Sequence, residues 1–302
     1  MSALLVHLFG SIRVSHGGPV TIPALTHTTQ ALLAFLVLHR SRLHGREQLA
    51  SRFWGDQSER SARGCLNTAL WRLRQVLEPA GVSRGTYLTT RSSGEIGFNV
   101  DSEHWIDVDD FERVVAANAS GSDSAPIADA VRFEAAAALY STDFLEAFYD
   151  DWAICERERF RLLYLQAMAR LMRHHRGAGA LDQACRYAKR IIELDPLREE
   201  IHRELIRLHI ERGDRAQAVQ QYRACRETLV RELGVEPMEE TRALHTSIVA
   251  AEGPVDDDFR HGPVNGVLES TRAILTSVDH LRAQLSELVA RLERRAGSER
   301  MR

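Results

Sequence analysis

A chain of 302 residues that is 44% hydrophobic can bury two or three ordinary cores, and its longest apolar run, Ala31–Leu38, is too short to cross a bilayer. Its formal charge of -3 conceals a polarity: residues 40–91 hold ten arginines against four acids, +6, and residues 101–160 hold fifteen acids against four arginines, -11. A basic block beside an acidic one predicts a nucleic-acid face next to something that must stay off the phosphates. The N-terminus lacks a signal-peptide core with a cleavage site, and Cys65, Cys155, Cys185 and Cys225 stand far apart without a CxxC pair. The expectation is a cytoplasmic protein with buried, reduced thiols and no contact with membrane.

Residues 3–22 alternate as short strands: LLVHLFG, SIRVS, a His-Gly-Gly turn and PVTIP. A helix follows from a Thr28-Thr29 cap through QALLAFLVLHR, and a second over residues 45–54 turns Leu49, Phe53 and Trp54 inward. After the Gly55-Asp56-Gln57 turn comes SERSARGCLNTALWRLRQVLEP, residues 58–79, on which the chain is centred. Ala62, Leu66, Ala69, Leu70, Leu73, Val76 and Leu77 form one apolar stripe. Ser58 reads as the N-cap, Glu59 suits the first turn, and Pro79 ends the helix. The opposite face carries Arg60, Arg63, Asn67, Thr68, Trp71, Arg72, Arg74 and Gln75. Arg can fork onto guanine edges and Asn onto adenine, while further Arg and Thr contact phosphate. A merely solvated charged face is the bland alternative for one helix alone; a preceding helix and short turn make it the second member of a helix-turn-helix.

Strands over Thr86–Arg91 and Ile96–Val100 then flank Ser92–Glu95 as a hairpin, which is what a winged helix needs. The Gly94-Glu95-Ile96-Gly97 string matches a KH-domain GxxG loop, but it lies in a hairpin and not between two helices. Helices are expected at 108–112, Ala128–Tyr140 and Phe144–Phe160, around a Ser/Asp/Gly-rich loop at 118–126, and the pairs Asp109-Asp110 and Asp150-Asp151 read as solvated. From Arg161 a 34-residue repeat sets Leu171, Gly179, Ala184 and Ala188 against Leu205, Gly213, Ala218 and Tyr222, the period of tetratricopeptide helix pairs. Beyond a Gly/Pro/Asp linker at 252–266, Val267, Thr271, Ile274, Val278, Leu281, Leu285, Leu288 and Leu292 are spaced 4-3-4-3-4-3-4. That heptad seam predicts self-association through Ile274, Val278, Leu281, Leu285, Leu288 and Leu292; a helix folded back on the solenoid is the other reading.

With those motifs in hand, LNTALWRLRQVLEP, the hairpin after it and the strands ahead of it resemble the winged helix of response-regulator-type transcription factors. Where that family carries Gly-Tyr-Arg at the wing this sequence has Gly94, Glu95 and Ile96, so the expected wing cation is Arg91. With DPLREE (195–200) and ELGVEP (232–237) in the repeat region, residues 3–250 resemble the antibiotic-regulator (SARP) family, whose second half is the bacterial transcriptional activator domain. The fold class implied is mainly α with a small β component: a winged helix-turn-helix over 1–106, a tetratricopeptide-like α-solenoid over 107–250, a linker at 251–266 and a coiled-coil tail at 267–296. The resemblance implies a sequence-specific transcriptional activator whose partners are double-stranded DNA and RNA polymerase, and the heptad seam adds a second copy of the chain, as a homodimer or higher oligomer. Its DNA-binding residues would be Arg60, Arg63, Asn67, Thr68, Trp71, Arg72, Arg74 and Arg91. The alternative is a tetratricopeptide adaptor whose winged helix is a docking surface. The absence of HExxH, GxSxG, a Walker loop and zinc-spaced Cys/His predicts no enzyme, no metal and no cofactor.

Overall fold

The computed structural model describes residues 3–19, 24–119 and 130–250. Met1–His245 form one compact unit and Thr246–Arg302 a second, of which only the end of one helix is described. The expected linker, coiled-coil seam and 118–126 loop therefore lie wholly or almost wholly outside the described residues, as does all but Pro19 of the strand expected at 19–23.

The first unit opens with β1 (Leu4–His7) and β2 (Arg13–Ser15), antiparallel with Val6 opposite Val14. Helix α1 (His27–Leu38) follows, and Ala31 to Val37 are all buried, so a continuous apolar run replaces a stripe. Its cap is Thr26, in extended backbone, and not Thr28 or Thr29; Thr29 is buried one turn inside. Helix α2 (Arg46–Trp54) buries Leu49 and Ala50 fully and Phe53 and Trp54 partly. Helix α3 (Glu59–Leu77) starts where the cap predicted, with the Ser58 hydroxyl accepting from Ser61 N, and buries Ala62, Leu66, Ala69, Leu70, Leu73 and Leu77. Strands β3 (Leu88–Thr90) and β4 (Ile96–Phe98) pair antiparallel as the wing. Ile96 also exchanges two backbone hydrogen bonds with His44, fastening the wing to the α1–α2 loop. Gly97 permits this approach, since a Cβ there would meet Leu43 Cδ2 at 2.7 Å.

A short strand not foreseen from sequence, β5 (His104–Ile106), returns parallel to β1 and gives a three-stranded sheet in the order β2-β1-β5. It leads straight into α4 (Asp107–Ala119). Asp107, 2% exposed, accepts from the backbone N–H groups of Leu8 (2.9 Å), Phe9 (3.0 Å) and Val108 (2.7 Å). Asp109 is not solvated: it pairs with Arg40 at 2.6 Å. Helix α5 (Ala130–Leu139) precedes α6 (Asp151–Gly177), so residues 144–150 are not helical as expected. Phe144 instead bridges to Phe9, Leu145 N donates to the Leu8 carbonyl, and Arg157 donates to the carbonyls of Phe144, Leu145 and Phe148. The rings of Phe9, Phe111, Tyr140, Phe144 and Phe160 close this junction, with Phe9 4.9–5.6 Å from three of them.

Helices α7 (Leu181–Leu194), α8 (Glu199–Glu211), α9 (Arg215–Leu233) and α10 (Glu239–Ala250) continue the chain, α7 packing on α6, α8 on α7 and α9 on α8. Gly179 and Gly213, thirty-four residues apart, take left-handed φ of 74° and 77° at equivalent turns. Ala184 and Ala218 are fully buried between paired helices. Of the cysteines expected inside, Cys185 and Cys225 are buried, Cys65 is half-buried and Cys155 is exposed. No described helix is long and apolar enough to cross a membrane.

Burial lowers the pKa of His7, His39, His44, His202, His209 and His245 below the ordinary 6.5. These groups fold neutral, so the unfolded chain binds more protons, and stability present above pH 6.5 is lost as pH falls below it. Asp107 and Asp109, raised by burial, act in the opposite direction. With six groups against two, the expected result is a lower Tm at pH 5.5 than at pH 7.5 at fixed ionic strength. An unchanged or higher Tm at the acid pH would contradict neutral burial of these rings.

Candidate nucleic-acid interface

Helix α3 is fixed by its apolar back, so its front is held in one orientation toward solvent. Arg60, Asn67, Thr68, Trp71, Arg72 and Gln75 are exposed there, and Trp71 leaves 62% of its surface in water. Arg60 and Arg72 have no acceptor among the described residues, and neither has the Arg91 side chain at the wing tip. The wing turn closes through Gly94 N to the Arg91 carbonyl and Arg91 N to the Glu95 carbonyl, both 2.9 Å, with Gly94 at a φ of 88°.

Four expected site residues are partnered within the protein, Thr68 only by its own helix, where its hydroxyl donates to the Gly64 carbonyl at 3.1 Å. Arg63 pairs with Glu47 at 2.8 Å and Glu59 at 3.6 Å; all three are exposed, so this pairing is weak and releasable. Asn67 accepts a hydrogen bond from Arg46 through Oδ1. Arg74 departs furthest from the sequence reading. It is half-buried and braces the wing, donating to the Leu88 carbonyl at 3.3 Å and the Thr90 hydroxyl at 2.9 Å. Burial, then the nearby Arg84 charge, lowers its pKa against the raising effect of Glu78.

Two cations missed from sequence join this face. Arg46, at the start of α2, reaches Asn67 and lies against the wing, since a Cβ on Gly94 would sit 3.7 Å from Arg46 Cδ. Arg84 stands exposed on the loop between α3 and β3. Both line a groove of about 650 Å³ between α3 and the wing, with Asn67, Trp71, Arg74 and Gln75. Arg46 opens the second helical pattern, which was the available signal; nothing local marked Arg84. The resulting surface is a cationic helix front continuous with a cationic groove, able to contact phosphates and present amide, guanidinium and indole groups to base edges.

The family described as "Transcriptional regulatory protein, C terminal" matches residues 21–94, and the one described as "Bacterial transcriptional activator domain" matches residues 106–249. "Transcriptional regulatory protein MoaR1" of Mycobacterium tuberculosis is 26% identical over 268 residues, covering 84% of this chain and 82% of that protein. "Regulatory protein AfsR" of Streptomyces coelicolor is 28% identical over 260 residues, 83% of this chain but 24% of AfsR.

The chain is a SARP-type transcriptional regulator.

As a member of that family it is a DNA-binding transcriptional activator. The SARP-type regulator also shares its fold with M. tuberculosis EmbR in complex with a low-affinity phosphopeptide, at a TM-score of 0.64 and 21% identity over 92% of this chain and 71% of that one. Within the regulator, α1 to β4 supply the winged helix-turn-helix and α4 to α10 the helical half.

Proposed function

We propose that α3 lies in the major groove with Asn67, Thr68, Trp71 and Arg72 at base edges, while Arg60, Arg63 and Arg91 hold phosphates. The helical half acts through RNA polymerase, as the family resemblance implies, and the protein works as a homodimer or higher oligomer joined by its tail. The observation that carries the DNA reading is the charge left after internal pairing: Arg60, Arg72 and Arg91 have no acceptor among the described residues. A helix front built to dock protein would present a cluster of apolar anchors, and α3 exposes one, Trp71.

Arg72→Ala is expected to cost about 1–3 kcal/mol of operator binding and to relax preference at one base position. Arg91→Ala is expected to weaken all sequences equally. Gel shifts on operator and mutated operator in rising salt measure both. Parent-like operator binding by Arg72→Ala would overturn the placement of α3.

A further inference from the structure

The groove between α3 and the wing holds an arrangement the reading above does not use. Arg46 enters it from α2, Arg74 from α3 and Arg84 from the α3–β3 loop, so three guanidinium groups from separate elements line one space. The acid that lines the groove, Glu78, is turned into the protein. Its side chain is 2% exposed, and Oε1 accepts the backbone N–H groups of Gly85, Tyr87 and Leu88, each at 3.0 Å. Arg74 Nε stands 3.8 Å from Glu78 Oε2, and neither atom has a hydrogen-bond partner. Glu78 thus organises the loop carrying Arg84 and pairs with Arg74, while Arg46 and Arg84 have no acidic partner among the described residues. Arg84 has no acceptor among the described residues, and the carbonyl oxygen of an uncharged amide, Asn67, receives Arg46. Convergent guanidinium groups with open donors recognise an oxyanion, best a phosphate.

We propose that this groove clamps one backbone phosphate of the DNA strand bordering the major groove, held by Arg46 and Arg84 above Arg74. The proposal rests on α3 occupying the major groove. A strand bordering that groove then passes between the reading helix and the wing, where this groove lies. A tethered diester fits an open groove with an aromatic rim better than a small free anion does, because the contacts on both sides of the phosphate are also filled. Capture of the phosphate also draws Arg46 away from Asn67 Oδ1. That frees the amide to accept from the N6 amino group of adenine while its own NH₂ donates to N7. Arg46 is therefore a positioning residue for Asn67, and phosphate capture and base reading are coupled.

The test uses the full chain and an operator found by selecting bound fragments, with single neutral methylphosphonates scanned along each strand. At one position per half-site the substitution should weaken the parent about tenfold, the effect of losing one charge-assisted contact. The same substitution should weaken Arg84→Gln, an exposed change that leaves folding intact, clearly less than the parent, and that variant's salt slope should fall by about one. Arg46→Ala should show the same reduced phosphate effect and, unlike Arg84→Gln, also change preference at a single adenine. Absence of coupling between any phosphate position and Arg84, in a parent that binds its operator, would overturn the clamp alone. A parent that binds no DNA would overturn the major-groove reading beneath it. Saturable binding of inorganic phosphate that competes with operator would overturn the DNA-strand assignment in favour of a soluble phosphorylated ligand.

Discussion

Asp107→Ala is expected to lower the unfolding free energy by about 3 kcal/mol. The carboxylate accepts from Leu8, Phe9 and Val108, and Leu8 lies 99 residues away in sequence, so one side chain ties the first strand to the start of α4. Removing it leaves N–H groups of buried residues unpaired, at about 1–3 kcal/mol each. Part of that cost is returned, because burial already pushes the Asp107 carboxyl above its ordinary pKa and alanine relieves this desolvation. Asp107→Asn keeps one acceptor oxygen and should lose less. Denaturant midpoints measured on the full chain, with the slope checked for constancy, give the comparison. A loss below about 1 kcal/mol for alanine would mean that water replaces the carboxylate and that the junction is held by its aromatic rings alone.

The tail carries the second large effect. Leu281→Asp with Leu288→Asp places charges in the heptad seam and is expected to convert the protein to a monomer in sedimentation. Val at position a with Leu at d favours two parallel strands. One winged helix makes few base contacts, and joining two raises affinity by effective concentration, about 10²–10⁴-fold, without any new contact. The double variant should lose that factor on operators with two half-sites and change little on one. A parent protein that is monomeric at micromolar concentration would end this reading in favour of a tail helix folded back on the solenoid.

Much of the architecture was legible from short-range pattern. The Ser58 cap, the α3 stripe and the paired turns at Gly179 and Gly213 all appear where period and turn chemistry put them. Such signals act within one helical turn or one repeat, so they survive reading along a line. The exposed front of α3 was legible for the same reason, because burying Leu66, Leu70 and Leu73 dictates where Asn67, Trp71 and Arg72 must point.

Sequence alone therefore determined which helix carries the cations, where it starts and which of its faces is free. Tertiary structure decided which cations remain available. Arg74 became a strut for the wing, Arg63 met Glu47, and Arg46 and Arg84 arrived from other elements. Phe144 left the helix pattern because Phe9 pairs with it across 135 residues, and the acidic block proved to be partly a seam, with Asp107 on β1 and Asp109 on Arg40. The physical reason is range. Helical period and capping are set by neighbours three or four residues away, whereas the neutralisation of a charge depends on which distant segment the packed core brings within a few ångströms of it.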